Sequence, residues 1–275
     1  MKVFYHQGKT GGSFVRKCIE RSGTKCLYIY NLEDIRDENI EDFQYCYVHE
    51  KEAHKVINLL KSKISNIDLY TSIRHPISSL ISSVRHARRE NNYSILPEFN
   101  RMIFGSYTDL NFNQQSQEFT ATDGSCLNTH HYKIHGAGTY LNILLKAKSS
   151  PKFLQRYTYY LSLGNKNIFT NNHEESKKLL FSGDDCNLVL DQFKYIGLYE
   201  LLPDLLEKLS EAGFISADFI KNPQPGRINP GTQSDEDTIS HEQALDWLMK
   251  FPSDFVIWTI LYERIMKQKY GRRQN

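Results

Sequence analysis

The sequence predicts an α/β fold in which a central parallel sheet of about five strands, near the usual sheet size, is flanked by helices in three layers. Three observations carry that expectation. Short apolar runs alternate with segments of helical periodicity through the first 90 residues, the pattern of β-α-β units. A strand, turn and helix recur near position 195. At 275 residues, 40% hydrophobic and 24% charged, the chain has the length and composition to bury one large core.

Val3 to His6 reads as the first strand. Ser13 to Ser22 follows as a helix with Phe14, Val15, Cys18 and Ile19 on one face, and Gly23 stands where a helix ends. "CLYIY" (26–30) and "YCYVH" (45–49) are further strands. Between Glu50 and Ile64 the residues Ala53, Val56, Ile57, Leu60 and Ile64 fall at helical spacing. "DLYTSIR" (68–74) is a buried strand, and Pro76 sits where proline favours a helix start, ahead of Ile77, Leu80, Ile81 and Val84. "YIGLY" (195–199) is a late strand, and Leu205, Leu206 and Leu209 mark the helix after it.

Residues 90–165, rich in Asn, Gln, Ser, Tyr and Gly, read as loops and short helices over the core. Residues 222–238, "NPQPGRINPGTQSDEDT", read as a loop. Ser240 and Gln243 have capping-box spacing, and 253–268 carries a further apolar face. The expectation is a single domain over 1–275, with 90–165 as an elaborated region.

Composition excludes several functions. A net charge of +2 is too small for a nucleic-acid or membrane surface, so any anion site must be local. The five cysteines are odd in number and form no C-x-x-C pair, which argues against a disulfide framework or a sulfur-ligated zinc. No run is long enough for a membrane span and no signal-peptide core is present, so a cytoplasmic setting is expected.

The opening turn, His6-Gln7-Gly8-Lys9-Thr10-Gly11-Gly12-Ser13, has the composition of an anion site. Glycines let the backbone approach a ligand, and the following helix directs its positive end at the same spot. Lys9 adds a mobile charge, and Thr10 and Ser13 add hydroxyl donors. The Gly-Lys-Thr triplet ends like a Walker loop, but that loop's first glycine falls on Val3, so the Walker reading fails. Taken alone, the glycines fit an ordinary tight turn. A second stretch, "TSIRHPISSLISS" (71–83), ends a strand with Arg74 at the sheet edge where such folds bind ligands, and its guanidinium suits a phosphate. Ser82 follows two turns into the helix.

Together these stretches resemble the PAPS-dependent sulfotransferases, most closely the branch that includes carbohydrate sulfotransferases (PAPS is 3′-phosphoadenosine 5′-phosphosulfate). "GKTGGSF" is similar to that family's 5′-phosphosulfate loop through Lys9, Thr10, Gly11, Gly12, Ser13 and Phe14, with Gly8 in place of the usual proline. Arg74, Pro76 and Ser82 match its 3′-phosphate motif, with His75 in place of an aspartate. "YIGLYELLPDLLEKL" (195–209) looks like its late strand and helix. The resemblance implies a P-loop-like fold, PAPS as sulfuryl donor, PAP (3′-phosphoadenosine 5′-phosphate) as product, and no required metal. Lys9 would stabilise the leaving phosphate.

By position it also implies His49 as the base, in the neutral form that the charges of Lys9 and Arg74 favour. Glu50 is the alternative base, although a carboxylate at a helix start is more simply explained by the dipole. His6 could touch the acceptor, but a strand-end histidine more often serves the fold, and His54 reads as a solvated helix residue. Arg227, beside Asn229 in the late loop, is a third candidate for the 3′-phosphate by the same resemblance.

The expected acceptor is a small polar molecule, a natural product or sugar conjugate, sulfated on a hydroxyl or an amine. Tyr107, Asn111, Gln114, Gln115 and Tyr132 suit such a ligand without naming it. His131 and His135 stand four apart but lack the partners of a metal site, so lining of the acceptor site is the preferred reading. Two alternatives stand beside this one. An ATP- or GTP-dependent kinase would need a Walker glycine and an acidic magnesium ligand, and neither is convincing here. A non-catalytic nucleotide-binding protein would keep Lys9 and Arg74 and need no base.

Overall fold

Strand β1 (Lys2–His6) runs through the centre of a five-stranded parallel sheet of order β2-β3-β1-β4-β8. Its neighbours are β3 (Tyr45–His49) and β4 (Asp68–Ile73); β2 (Cys26–Ile29) and β8 (Tyr195–Leu198) form the edges. The computed structural model describes residues 1–35, 40–49, 53–89, 110–113, 118–122, 129–133, 137–146, 156–163, 187, 189–221 and 238–271.

The sheet is covered on both faces, as an all-parallel sheet requires. Side chains alternate along each strand. Val3 and Tyr5 of β1, with Cys46 and Val48 of β3 and Leu69 and Ile73 of β4, enter one core. That core is closed by α2 (Ala53–Lys63), α5 (Arg156–Leu161) and α9 (Ser253–Gly271), through residues such as Val56, Leu161 and Ile257. Phe4, Tyr47 and Tyr70 enter the other, against α1 (Gly12–Arg21), α6 (Leu202–Glu211) and α7 (Ala217–Lys221). The three-layer α/β architecture expected from the sequence is therefore present.

Local signals set the helix ends. Gly23 adopts φ 71° after α1 and closes it, its N–H reaching Glu20 O at 3.2 Å. Helix α8 (His241–Lys250) begins with a complete capping box: Gln243 N–H donates to Ser240 Oγ at 3.2 Å, and Ser240 N–H donates to Gln243 Oε1 at 2.9 Å. The same Gln243 side chain donates to Gly138 O at 3.1 Å, tying α8 to the start of α4 (Ala137–Lys146).

The region 90–165 corrects the sequence reading. In place of loops and short helices alone it contains an antiparallel sheet of order β5-β6-β7, made of β5 (Leu110–Asn113), β6 (Glu118–Thr122) and β7 (Thr129–Lys133). These strands do carry a period of two, as in Leu110 and Phe112, but their polar composition conceals it. Residues 222–237, most of the expected late loop, lie outside the described residues. Among the described residues no helix is long and apolar enough to cross a membrane.

Helix α5 is only six residues long and owes its start to a distant carboxylate. Asp254, in the first turn of α9, accepts the N–H of Tyr157 at 2.9 Å, the N–H of Thr158 at 3.0 Å and the Thr158 hydroxyl at 3.1 Å. Burial pushes the Asp254 carboxyl up to about 7, outweighing those donors and the nearby Arg156 charge, which act to lower it. A carboxyl raised on folding binds its proton more tightly in the native state. Its stabilising contribution is full below about pH 4 and is lost as pH rises towards 7. The stability of the wild type relative to Asp254→Asn should therefore fall between pH 5 and 7, by at most about 1.4 kcal/mol per pH unit. Urea melts across that range check it; a flat difference would mean that the donors keep the group ionised.

Candidate functional site

The carboxyl ends of β1, β3 and β4 meet at one edge of the sheet, with His6 and His49 opposite one another in register. The chain leaves β1, the central strand, through the turn at residues 7–11 and enters α1. Here the connections diverge to either side of the sheet, the position at which open α/β sheets bind ligands.

The turn is braced from beneath. Thr10 is fully buried, and its hydroxyl donates to Gln7 O at 2.7 Å. Ser72 Oγ donates to Thr10 O at 3.0 Å, and Gln7 Nε2 donates to Thr71 Oγ1 at 3.3 Å. Thr10, expected to offer its hydroxyl to an anion, instead spends that proton inside the loop. Lys9 and Gly11 both take positive φ, 62° and 88°. A left-handed residue among right-handed neighbours builds the kind of backbone concavity that receives anions.

Helix α1 opens without a cap. Gly11 is its N-cap, no side-chain cap is present among the described residues, and its first turn contains no acidic residue. The Phe14 N–H turns back to Gly11 O at 2.9 Å, and the amides ahead of it give this end N–H donors and a positive dipole. Ser13 is exposed on that first turn, while Phe14 packs against the α1-side core.

Both glycines are sterically required. A Cβ on Gly12 would fall within the ring of His6, which is buried directly beneath it. A Cβ on Gly11 would lie 2.6 Å from Cδ2 of Tyr199. His6 is thus a structural residue. Its Nδ1 is 2.6 Å from the Tyr47 hydroxyl, and its ring meets His49 edge-on at 4.9 Å. His49 is half-buried and also meets Tyr30 at 5.8 Å, whose hydroxyl accepts from Arg16 at 2.6 Å. The His6 ring, beneath Gly12, separates His49 from the start of α1.

Tyr199, just beyond β8, joins the two halves of the site. Its ring lies against Gly11 on one side and carries the Arg74 guanidinium at 4.5 Å from its centroid. Lys9 to Phe14 and Arg74, far apart in the sequence, are thereby brought to one place. Arg74 Nε is buried and has no hydrogen-bond partner among the described residues, which fits an anionic ligand. The Arg74 backbone is held by Tyr157, whose hydroxyl donates to Arg74 O at 2.5 Å and accepts Arg74 N–H at 3.2 Å. Helix α3 (Pro76–Arg89) follows, with Ser82 half-buried on its second turn.

His75, where the resembling family has an aspartate, faces aromatic rings. Trp258 lies at 4.7 Å and Phe255 at 5.9 Å, and burial lowers its pKa despite the neighbouring Glu200. Glu200 accepts the His75 N–H at 2.8 Å. An aspartate here would set a second carboxylate beside Glu200 and against two rings, so histidine suits this environment better.

Sequence reasoning missed Tyr199, Tyr157 and the buried bracing by Gln7, Thr71 and Ser72. The signal for Tyr199 was its place immediately after a strand at the ligand-binding edge. Glu50, Tyr107, Gln114, Gln115, His135, Arg227 and Asn229 lie outside the described residues. Asn111 falls in β5, and His131 and Tyr132 fall in β7. Compared with known proteins, the chain matches no family model and no curated sequence.

Because Gly12 is helical, its substitution tests the His6 contact without backbone strain. Gly12→Ala should destabilise the fold by about 1–3 kcal/mol. Much of that cost should disappear in a His6→Ala background, which a double-mutant cycle from urea melts would read as a coupling energy. Strictly additive effects would contradict the packing described.

Proposed function

We propose that this chain is a PAPS-dependent sulfotransferase that transfers a sulfuryl group to a hydroxyl or amine of a small polar acceptor. The observation that carries the reading is the Tyr199 ring, in contact with both Gly11 and Arg74. It unites the two stretches that resemble the family's phosphate motifs in a single site. The α1 start without a side-chain cap and the buried Arg74 Nε, which has no hydrogen-bond partner among the described residues, support the same reading, since both suit phosphate oxygens.

In this reading the loop from Lys9 to Phe14 and the first amides of α1 hold the 5′-phosphosulfate. Lys9 and the loop dipoles then stabilise charge on the leaving phosphate as the sulfur–oxygen bond breaks. Arg74 holds the 3′-phosphate, with Ser82 and Arg227 as further candidates. His49 takes the proton of the acceptor, so that attack on sulfur and loss of the proton proceed together. The donor supplies the activated sulfuryl group; the chain supplies alignment, charge and a base.

The test is turnover with PAPS across a panel of small hydroxyl and amine acceptors, paired with titration of PAP and of ATP with magnesium. PAP should bind in preference to ATP. His49→Ala should slow sulfuryl transfer by about 10²–10⁴-fold while leaving PAP affinity unchanged. Preference for ATP with magnesium would overturn the reading in favour of a kinase. Near-normal turnover in a folded His49→Ala variant would remove His49 as the base.

A further inference from the structure

The Arg74–His75 turn is gripped by a part of the chain that the phosphate motifs do not include. β4 ends at Ile73, opposite Leu198 of β8, so the peptide groups of Arg74 lie beyond the sheet ladder. Both are satisfied by one side chain. The Tyr157 phenol, 1% exposed, donates to Arg74 O and accepts from Arg74 N–H. A part-buried peptide group that loses such a partner is costly, so this bond fixes where the Arg74 Cα sits. The guanidinium extends from that point.

Tyr157 is in turn fixed by α9. Its N–H donates to Asp254, whose carboxylate also takes both the N–H and the hydroxyl of Thr158. Phe255, next in the chain, and Trp258, one turn along α9, pack on the His75 ring. Trp258 Nε1 donates at 3.4 Å to Glu200, the residue that accepts the His75 N–H. The first two turns of α9 thus reach both residues of the turn, Arg74 through Tyr157 and His75 through Trp258.

We propose that Tyr157, backed by the Asp254 end of α9, is a positioning residue for anion recognition at Arg74. It touches no ligand; it sets the aim of the residue that does. As applied to a 3′-phosphate, the inference rests on the sulfotransferase reading given above. A displacement of about 1 Å at such a residue is enough to weaken a bidentate contact severely. The consequence is selective: losing the hydroxyl should weaken recognition at Arg74 and spare the opening loop.

Tyr157→Phe tests this, because it keeps the ring and removes only the hydroxyl. Two readouts are needed. The first is amide hydrogen exchange of the ligand-free protein, in which segment 70–79 should exchange roughly tenfold faster while segment 12–21 is unchanged. The second is calorimetric titration with PAP and with AMP, which lacks the 3′-phosphate. PAP affinity should fall about tenfold and AMP affinity should hold.

Asp254→Asn, one bond further back, should move both readouts in the same direction and by less. Unchanged exchange in 70–79 would overturn the proposal whatever the nucleotides do. So would a parallel loss of PAP and AMP binding, since that marks general destabilisation. If the wild type binds neither nucleotide while Tyr157→Phe still loosens 70–79 alone, the positioning role stands and the sulfotransferase reading falls.

Discussion

The site depends on one aromatic ring that leaves no room for a side chain at Gly11. Tyr199 lies so close to the opening turn that a Cβ there would sit 2.6 Å from it, and the same ring carries the Arg74 guanidinium. Cation–π contacts of this kind contribute roughly 0.5–2 kcal/mol, a modest energy for so consequential a placement. Its importance is geometric. The ring sets the gap between two cationic elements supplied by β1 and β4, and strand order makes those two strands neighbours. Topology brings the elements to one sheet edge, and Tyr199 fixes their separation.

The treatment of helix ends is consistent with a site at this edge. α8 satisfies its first amides with a complete capping box. α1 receives no such cap, although the chain has serine and threonine close by. Thr10 instead bonds within the loop and Ser72 of β4 bonds to it, holding it in a conformation with two left-handed residues. Strained backbone persists where its surroundings enforce it, and such positions cluster where ligands bind. His6 fills the space beneath Gly12, so the loop rests on a packed floor and not on a pliable one.

Much of the fold was legible in the sequence, for identifiable physical reasons. The strands of the parallel sheet are buried on both faces and therefore read as short apolar runs, as in Val3 to Tyr5 and Cys46 to Val48. Gly23 and the Ser240–Gln243 pair announced helix ends through local chemistry alone. The antiparallel strands β5 to β7 escaped notice because segments such as "THHYK" are polar, leaving alternation with little contrast. Lys9, Gly11, Gly12 and Arg74 were legible as candidates because glycine spacing and strand-end arginine are local patterns. The roles of Tyr199, Tyr157 and Asp254 were not, because each arises from contact between segments distant in sequence. Thr10 shows the complementary difficulty: its residue type suggested a ligand donor, and only its burial revealed a bond to Gln7.

In the arrangement we propose, one ligand spans the opening loop and Arg74. That arrangement is tested most directly by calorimetric titration of wild type, Lys9→Ala and Arg74→Ala with PAP and with AMP. A single spanning site predicts that each substitution weakens PAP by roughly tenfold or more, as loss of a charge-assisted contact does. AMP should respond to Lys9→Ala alone. PAP binding that is indifferent to Arg74→Ala, or AMP binding that depends on Arg74, would rule out a single spanning site.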